Sequence, residues 1–197
     1  MKPYYETHAI GLLYLLVLFG WYGAELIQLL RQRQWRASAA WAGQRSYWPA
    51  FWAGAAVVVA IFLLAPHVAP GAAIGYPAAC FATGMALMAI GITLRLWSFQ
   101  ALGQYFTFSV RVSPGQPVVT SGPYRLLRHP GYAGGVLATL GIGIIWGNWI
   151  SMAAIVLFTV TMIIWRIRTE ERALLSALDD RYRHYAAAHK RLIPLIW

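Results

Sequence analysis

From Ser46 to Leu94 the chain carries no Asp, Glu, Lys or Arg. No water-soluble domain can present so long a stretch to solvent, and it is too long to be one buried helix. The solvent for this stretch is therefore hydrocarbon, where the backbone must satisfy its own hydrogen bonds within helices. Pro66-His67-Val68-Ala69-Pro70-Gly71 divides it in two. Two further stretches behave alike. Ala9 to Ala24 is uncharged and continues through Glu25 to Leu30, and His129 to Trp165 is interrupted only by Gly147-Asn148-Trp149. A spanning helix takes about 20 apolar residues, with ~17 tolerated. The reading is five spans, near 9–30, 49–66, 76–98, 132–147 and 150–166, the last two forming a short hairpin. The fold class is an all-α integral membrane protein with a cytosolic loop and a C-terminal amphipathic helix.

Composition agrees. Of the 197 residues 59% are hydrophobic and 11% charged, against about 25% charged in an ordinary soluble domain. That excludes a soluble enzyme, a disordered tail or a fibrous repeat as a description of the whole chain. We read 1–197 as a single membrane domain, with three N-terminal spans in 1–100 and a polar-bearing core in 101–197. The first apolar segment exceeds the ~7–15 residues of a signal-peptide core, so it is expected to remain as a span.

The net charge of +10 would suggest nucleic acid in a soluble protein. Here its placement reports orientation and contact with membrane lipids instead. Arg31, Arg33, Arg36 and Arg45 lie between spans one and two, and Arg95, Arg111, Arg125 and Arg128 between spans three and four. Arg166, Arg168, Arg172, Arg181, Arg183, Lys190 and Arg191 follow span five, whereas only Lys2 falls on the other side. By the positive-inside rule the N-terminus is out and the C-terminus cytosolic. Trp48, Trp52, Trp97, Trp146, Trp149 and Trp165 fall near span ends, as interfacial anchors do, and Gly143-x-x-x-Gly147 is a candidate packing face. Cys80 stands alone, and the five histidines form no HExxH, so neither a disulfide nor a bound metal is expected.

Polar residues concentrate in two stretches, Leu102 to Tyr132 and Arg166 onward. In the first, Pro123 suits the opening turn of a short helix. Pro130 forces His129 into an extended bend, bringing Tyr124, His129 and Tyr132 together at the membrane surface. In the second, Arg166 and Glu170 share a helix face, and Leu174, Leu178, Tyr182 and Tyr185 recur at helical spacing, a packing stripe. Glu170 and Glu171, beside a span end in a basic neighbourhood, are candidates for recognising a cation. His184 and His189 read as solvated.

The run Gly122-Pro123-Tyr124 … Arg128-His129-Pro130-Gly131-Tyr132, followed one hairpin later by Arg166 … Glu170-Glu171 … Tyr182 … Tyr185 … Pro194, resembles the isoprenylcysteine carboxyl methyltransferase family, which overlaps with the phospholipid methyltransferases. The likeness extends from about Arg95 to the C-terminus and includes Leu102-Gly103-Gln104-Tyr105-Phe106-Thr107. It implies S-adenosylmethionine as cofactor and methyl transfer to a lipophilic or prenylated acceptor at the cytosolic face. It also implies roles for single residues. Gln116, Pro117, Val118 and Val119 match the segment lining the cofactor, and Tyr124 a cofactor tyrosine. His129, Pro130, Gly131 and Tyr132 match the turn that wraps it, Glu170 the carboxylate at the cofactor, and Arg166 the arginine on the acceptor side. The family often carries His or Lys near the position of Gln116, so contact there is through the backbone.

The residues themselves are compatible with this. No strand-borne GxGxxG occurs, which removes a Rossmann site. Glu170 can pair with an ammonium or sulfonium, His129 can donate to a carboxylate, and tyrosine faces attract a sulfonium. A carboxylate acceptor is already nucleophilic at neutral pH, whereas a phospholipid amine needs a general base. The leading reading is carboxyl O-methylation of an isoprenylcysteine-type substrate. Phospholipid N-methylation, an NADPH-dependent sterol-type reductase and a non-catalytic membrane scaffold or transporter are the competing ones.

Overall fold

The computed structural model describes residues 8–33, 48–106 and 116–194. Lys2, Arg36, Arg45, Thr107 and Arg111, which entered the reading above, lie outside these. Five long helices occur among the described residues: α1 (His8–Arg33), α2 (Trp48–Val68), α3 (Pro77–Leu102), α4 (Pro130–Ile145) and α5 (Trp149–Ala188). No strand is present among them, only isolated bridges between Ala73 and Asn148 and between Leu127 and Lys190. Three segments, Gly11–Leu30, Pro77–Tyr105 and Trp149–Ala188, are long and apolar enough to cross a bilayer, while Trp52–Val68 and Pro130–Ile145 are shorter apolar helices.

The helix boundaries have local causes. Pro77 and Pro130 each occupy a first-turn position, where a missing N–H costs nothing. Gly147 turns the chain at φ +63°, and the Asn148 side chain then caps α5 by accepting from the Ile150 and Ser151 amides at 3.0 and 3.2 Å. The same Asn148 donates to the Ala69 carbonyl at 3.2 Å, and Ser151 donates to the Phe62 carbonyl at 2.9 Å. These bonds tie the α4–α5 turn to the end of α2. Gly147 is the turn residue beyond the end of α4, so Gly143-x-x-x-Gly147 is not a packing face as a pair, although Gly143 itself packs closely against Met152 of α5.

The tightest backbone-to-backbone packing is between α3 and α4. A Cβ on Gly91 would stand 2.5 Å from both the Gly134 carbonyl oxygen and the Ala138 nitrogen, and one on Gly141 would stand 2.5 Å from the Gly84 carbonyl oxygen. Backbone meets backbone at two levels, seven residues apart on each helix. Met88, Ile142, Ile145, Phe62, Phe81 and Tyr14 fill the core around this contact. Large side chains such as Leu16, Phe19, Leu64, Ile90 and Leu157 remain exposed. That is the outer surface of a membrane protein, whose solvent is lipid rather than water.

The last helix departs from expectation. A span near 150–166 and a separate amphipathic helix were anticipated, but the helix runs on without a break from Trp149 to a kink at Asp179, about 45 Å at ~1.5 Å per residue. That is about one and a half times the ~30 Å hydrocarbon thickness. The helical register set in the apolar half therefore carries Arg166, Glu170 and Glu171 out on one rigid rod. The backbone leaves helical geometry only at Asp179, at φ 42°.

Candidate functional site

A cavity opens where the C-terminal end of α3, the Gly122–Arg125 turn, the start of α4 and the polar half of α5 meet. Gln116, Pro117, Val118, Val119, Tyr124, His129, Gly131, Tyr132 and Glu170 line it, as do Arg95, Arg128, Tyr182 and Tyr185. Of the residues singled out from sequence for the site, Pro130, Arg166 and Glu171 are not on its wall. Pro130 is buried as the first residue of α4. Arg166 stands behind Tyr132.

The polar groups form two clusters. In one, Arg166 Nε donates to the Tyr132 hydroxyl at 2.7 Å, and that hydroxyl donates to Glu170 Oε2 at 2.7 Å. The guanidinium carbon lies 6.0 Å from the Tyr132 ring centroid. Sequence spacing suggested a direct Arg166–Glu170 pair; the structure inserts a phenol between them. Among the described residues Glu170 is the one acidic side chain on the cavity wall.

In the other cluster Glu171 is buried among cations. Arg128 Nη1 lies 2.6 Å from Oε1, and Arg191 reaches Oε2 with Nε and Nη2, both at 2.9 Å. His129 Nε2 is 3.3 Å from Oε1. Burial alone would push the Glu171 carboxyl up. Hydrogen bonds from His129 and Arg191 and the charge of Arg128 outweigh it and hold the acid down at about 2. Glu171 is therefore ionised and can only accept, so His129 Nε2 must carry a proton. The Nε2–H that was a candidate donor to a ligand carboxylate is directed at Glu171 instead.

Backbone bonds run parallel to this cluster. The Arg128 amide donates to the Lys190 carbonyl at 2.8 Å and the His129 amide to the Arg191 carbonyl at 3.0 Å. Tyr185 donates its hydroxyl to the Tyr124 and Leu127 carbonyls at 2.8 and 3.2 Å. Thus the loop before α4 is clamped to the chain after α5. His189, expected in solvent, is half-buried, with its ring 4.3 Å from that of Tyr185. Burial pushes the hydroxyls of Tyr124, Tyr182 and Tyr185 up, so each remains a proton-bearing donor at neutral pH.

Arg128, Tyr182 and Tyr185, read from sequence as an orientation marker and a packing stripe, are wall residues that sequence reasoning missed, and Arg95 is another. It was read as an orientation marker, yet it lines the cavity. Its Nη1 donates to the Gly131 carbonyl at 3.0 Å, and its Nε and Nη2 pair with Glu25 of α1. A lone Glu and a lone Arg in separate apolar spans were the available signal, since buried charges are paired.

Comparison with known proteins gives the chain its relatives. The family model for phospholipid methyltransferase matches residues 79–181. The chain is 34% identical over 112 residues to the protein-S-isoprenylcysteine O-methyltransferase of Schizosaccharomyces pombe, covering 50% of this chain and 48% of that one. It is 32% identical over 92 residues to the uncharacterized protein YpbQ of Bacillus subtilis, covering 46% and 55%. Among solved structures it is similar to the eukaryotic intramembrane Ras methyltransferase ICMT, isoprenylcysteine carboxyl methyltransferase. There the TM-score is 0.63 at 26% identity, over 76% of this chain and 54% of that one. The chain spans about half the length of the curated relatives it matches.

Proposed function

The chain belongs to the phospholipid methyltransferase family, and on that premise we propose that it transfers a methyl group from S-adenosylmethionine to the carboxylate of an isoprenylcysteine-type acceptor at the cytosolic membrane face. The observation that carries this reading is the commitment of both acidic side chains at the site. Glu171 is neutralised by Arg128, Arg191 and His129, and Glu170 is bonded to Tyr132. With Glu171 neutralised and Glu170 assigned to the cofactor's cationic group, no acidic side chain among the described residues on the cavity wall is left to deprotonate an amine. An acceptor that arrives ionised needs only orientation.

The cavity residues fit the cofactor: a carboxylate, aromatic rings and buried donors stand on one wall system. When bound, the cofactor supplies a methyl group on a positively charged sulfur. Tyr132 fixes the direction of Glu170, which holds a cationic group of that cofactor. Arg166, one hydrogen bond behind, orients the acceptor carboxylate through its planar fork. Leu102, Tyr105 and Phe106 supply an apolar part of the cavity wall. The methyltransferase core comprises α3 onward, and the arginine-rich end that holds the cavity faces the cytosol.

Ligand binding tests the reading. Detergent-solubilised protein is offered radiolabelled S-adenosylmethionine or NADPH. Retention of S-adenosylmethionine alone is the expected result; retention of NADPH alone indicates a reductase and overturns it.

A further inference from the structure

Glu25 is the acidic side chain of α1, and it lies outside residues 79–181, the part of the chain that the family model matches. Its place follows from the helix period. Tyr14, Leu18 and Trp21 enter the core at four- and three-residue steps, and Glu25 is the next position on that stripe. On α3 the same steps run through Phe81, Met85, Met88 and Ile92, and Arg95 comes next. Each stripe thus ends on a charge where an apolar side chain would continue the seam. The two charges meet. Glu25 pairs with Nε and Nη2 of Arg95, and Trp21 donates its indole N–H to Glu25 at 3.1 Å. The two side chains are 17% and 16% exposed. A pair so far desolvated holds helices together no better than apolar side chains of the same size, so the packing of α1 does not account for it.

The other end of Arg95 gives the pair its purpose. Arg95 lines the cavity, and its Nη1 donates to the Gly131 carbonyl at 3.0 Å, one residue before Tyr132. Among the described residues Glu25 is the carboxylate bonded to Arg95, and it stands off the cavity wall. Arg95 therefore offers the wall its hydrogen bonds while its charge is cancelled from behind. An unopposed cation there would repel a ligand that carries positive charge, because charges act over long distances where the dielectric is low. Resting on the function proposed above, we propose that Glu25 is a positioning residue that, through Arg95, lets the cavity favour the sulfonium methyl donor over its uncharged demethylated product. Its carboxylate fixes the guanidinium on Gly131 and removes the repulsion. The first helix thereby contributes to the site although, among the described residues, none of its side chains stands on the wall.

Glu25→Gln isolates the claim, since it removes the charge and keeps the size and an acceptor for Arg95 and Trp21. Calorimetry of the full chain in detergent at pH 8, without acceptor, compares S-adenosylmethionine with S-adenosylhomocysteine, which lacks the methyl group and the charge on sulfur. Glu25→Gln is expected to weaken S-adenosylmethionine about five-fold or more beyond any loss for S-adenosylhomocysteine. Arg95→Gln leaves Glu25 unopposed instead, and is expected to shift the ratio of the two affinities the other way. The double variant Glu25→Gln/Arg95→Gln should return that ratio to the wild-type value. An equal loss for both ligands in Glu25→Gln, or no loss, reduces Glu25 to a fastener of α1 and overturns the assignment. If Glu25→Gln is not recovered folded, Arg95→Gln decides alone, and a ratio it leaves unmoved overturns the assignment. A wild type that binds neither compound overturns the methyl-donor reading, a failure distinct from an unmoved ratio in proteins that bind both.

Discussion

Adjacent residues on a helix point about 100° apart, and Glu170 and Glu171 use that difference. Glu170 faces the cavity through Tyr132, and Glu171 faces the clamp between the loop before α4 and the chain after α5. Their substitutions should therefore separate. Glu170→Ala is expected to weaken S-adenosylmethionine by loss of a charge-assisted bond, roughly 1.5–3 kcal/mol, with little effect on the thermal midpoint. Glu171 contributes to stability instead. Its folded pKa of about 2 lies below the ordinary 4.5, so its contribution is complete above pH 4.5 and is lost as pH falls toward 2. That loss amounts to about 3 kcal/mol. Acid unfolding followed by tryptophan fluorescence should show wild type losing stability over that window and Glu171→Gln, already weakened at neutral pH, losing less. A parallel loss in both proteins counts against the clamp. Arg166→Lys keeps the charge but not the fork. Turnover should fall steeply while cofactor affinity persists; near-normal turnover reduces Arg166 to a local charge. That His129, Tyr132 and Glu170 meet at one cavity, with Arg166 behind Tyr132, was legible because their spacing is local or matches a family pattern. The division of labour between Glu170 and Glu171 was not. It depends on Arg128 and Arg191, which only folding brings to the same carboxylate.

At the scale of elements, apolar runs marked the five long helices among the described residues, three of them long and apolar enough to span, since hydrophobic length is a local property. What escaped was how they meet. Gly84, Gly91, Gly134 and Gly141 form the α3–α4 contact, whereas the conspicuous Gly143–Gly147 spacing ends in a turn. Small residues permit close approach without saying which helix approaches. Gly134→Ala should be destabilising by about 1–3 kcal/mol through overpacking, because the added methyl would stand 2.5 Å from the Gly91 carbonyl oxygen and 2.9 Å from the Arg95 nitrogen. A lowered thermal midpoint in detergent checks this, and an unchanged one contradicts backbone contact there. Since Arg95 lines the cavity, the substitution should also weaken cofactor binding. The continuity of α5 was missed for a related reason. A change from apolar to charged residues marks the membrane boundary, but the helix does not need to end there.

Across the whole molecule the two ends differ in chemistry. Asn148, Ser151 and the carbonyls of Phe62 and Ala69 join neutral groups at one end. Arg95, Arg128, Arg166 and Arg191 gather at the other, with the cavity. The proposed orientation sets the basic end in the cytosol, and protease access to a C-terminal tag in inside-out vesicles is the expected result. A donor from the aqueous phase and an acceptor anchored in lipid can then meet at one boundary. The central claim is the identity of that acceptor. Purified protein in lipid nanodiscs is supplied with methyl-labelled S-adenosylmethionine, a farnesylated cysteine bearing a free carboxylate, and phosphatidylethanolamine. Label recovered as a base-labile methyl ester on the farnesylated cysteine is the expected outcome; label fixed in a base-stable phospholipid headgroup, or none transferred, contradicts it.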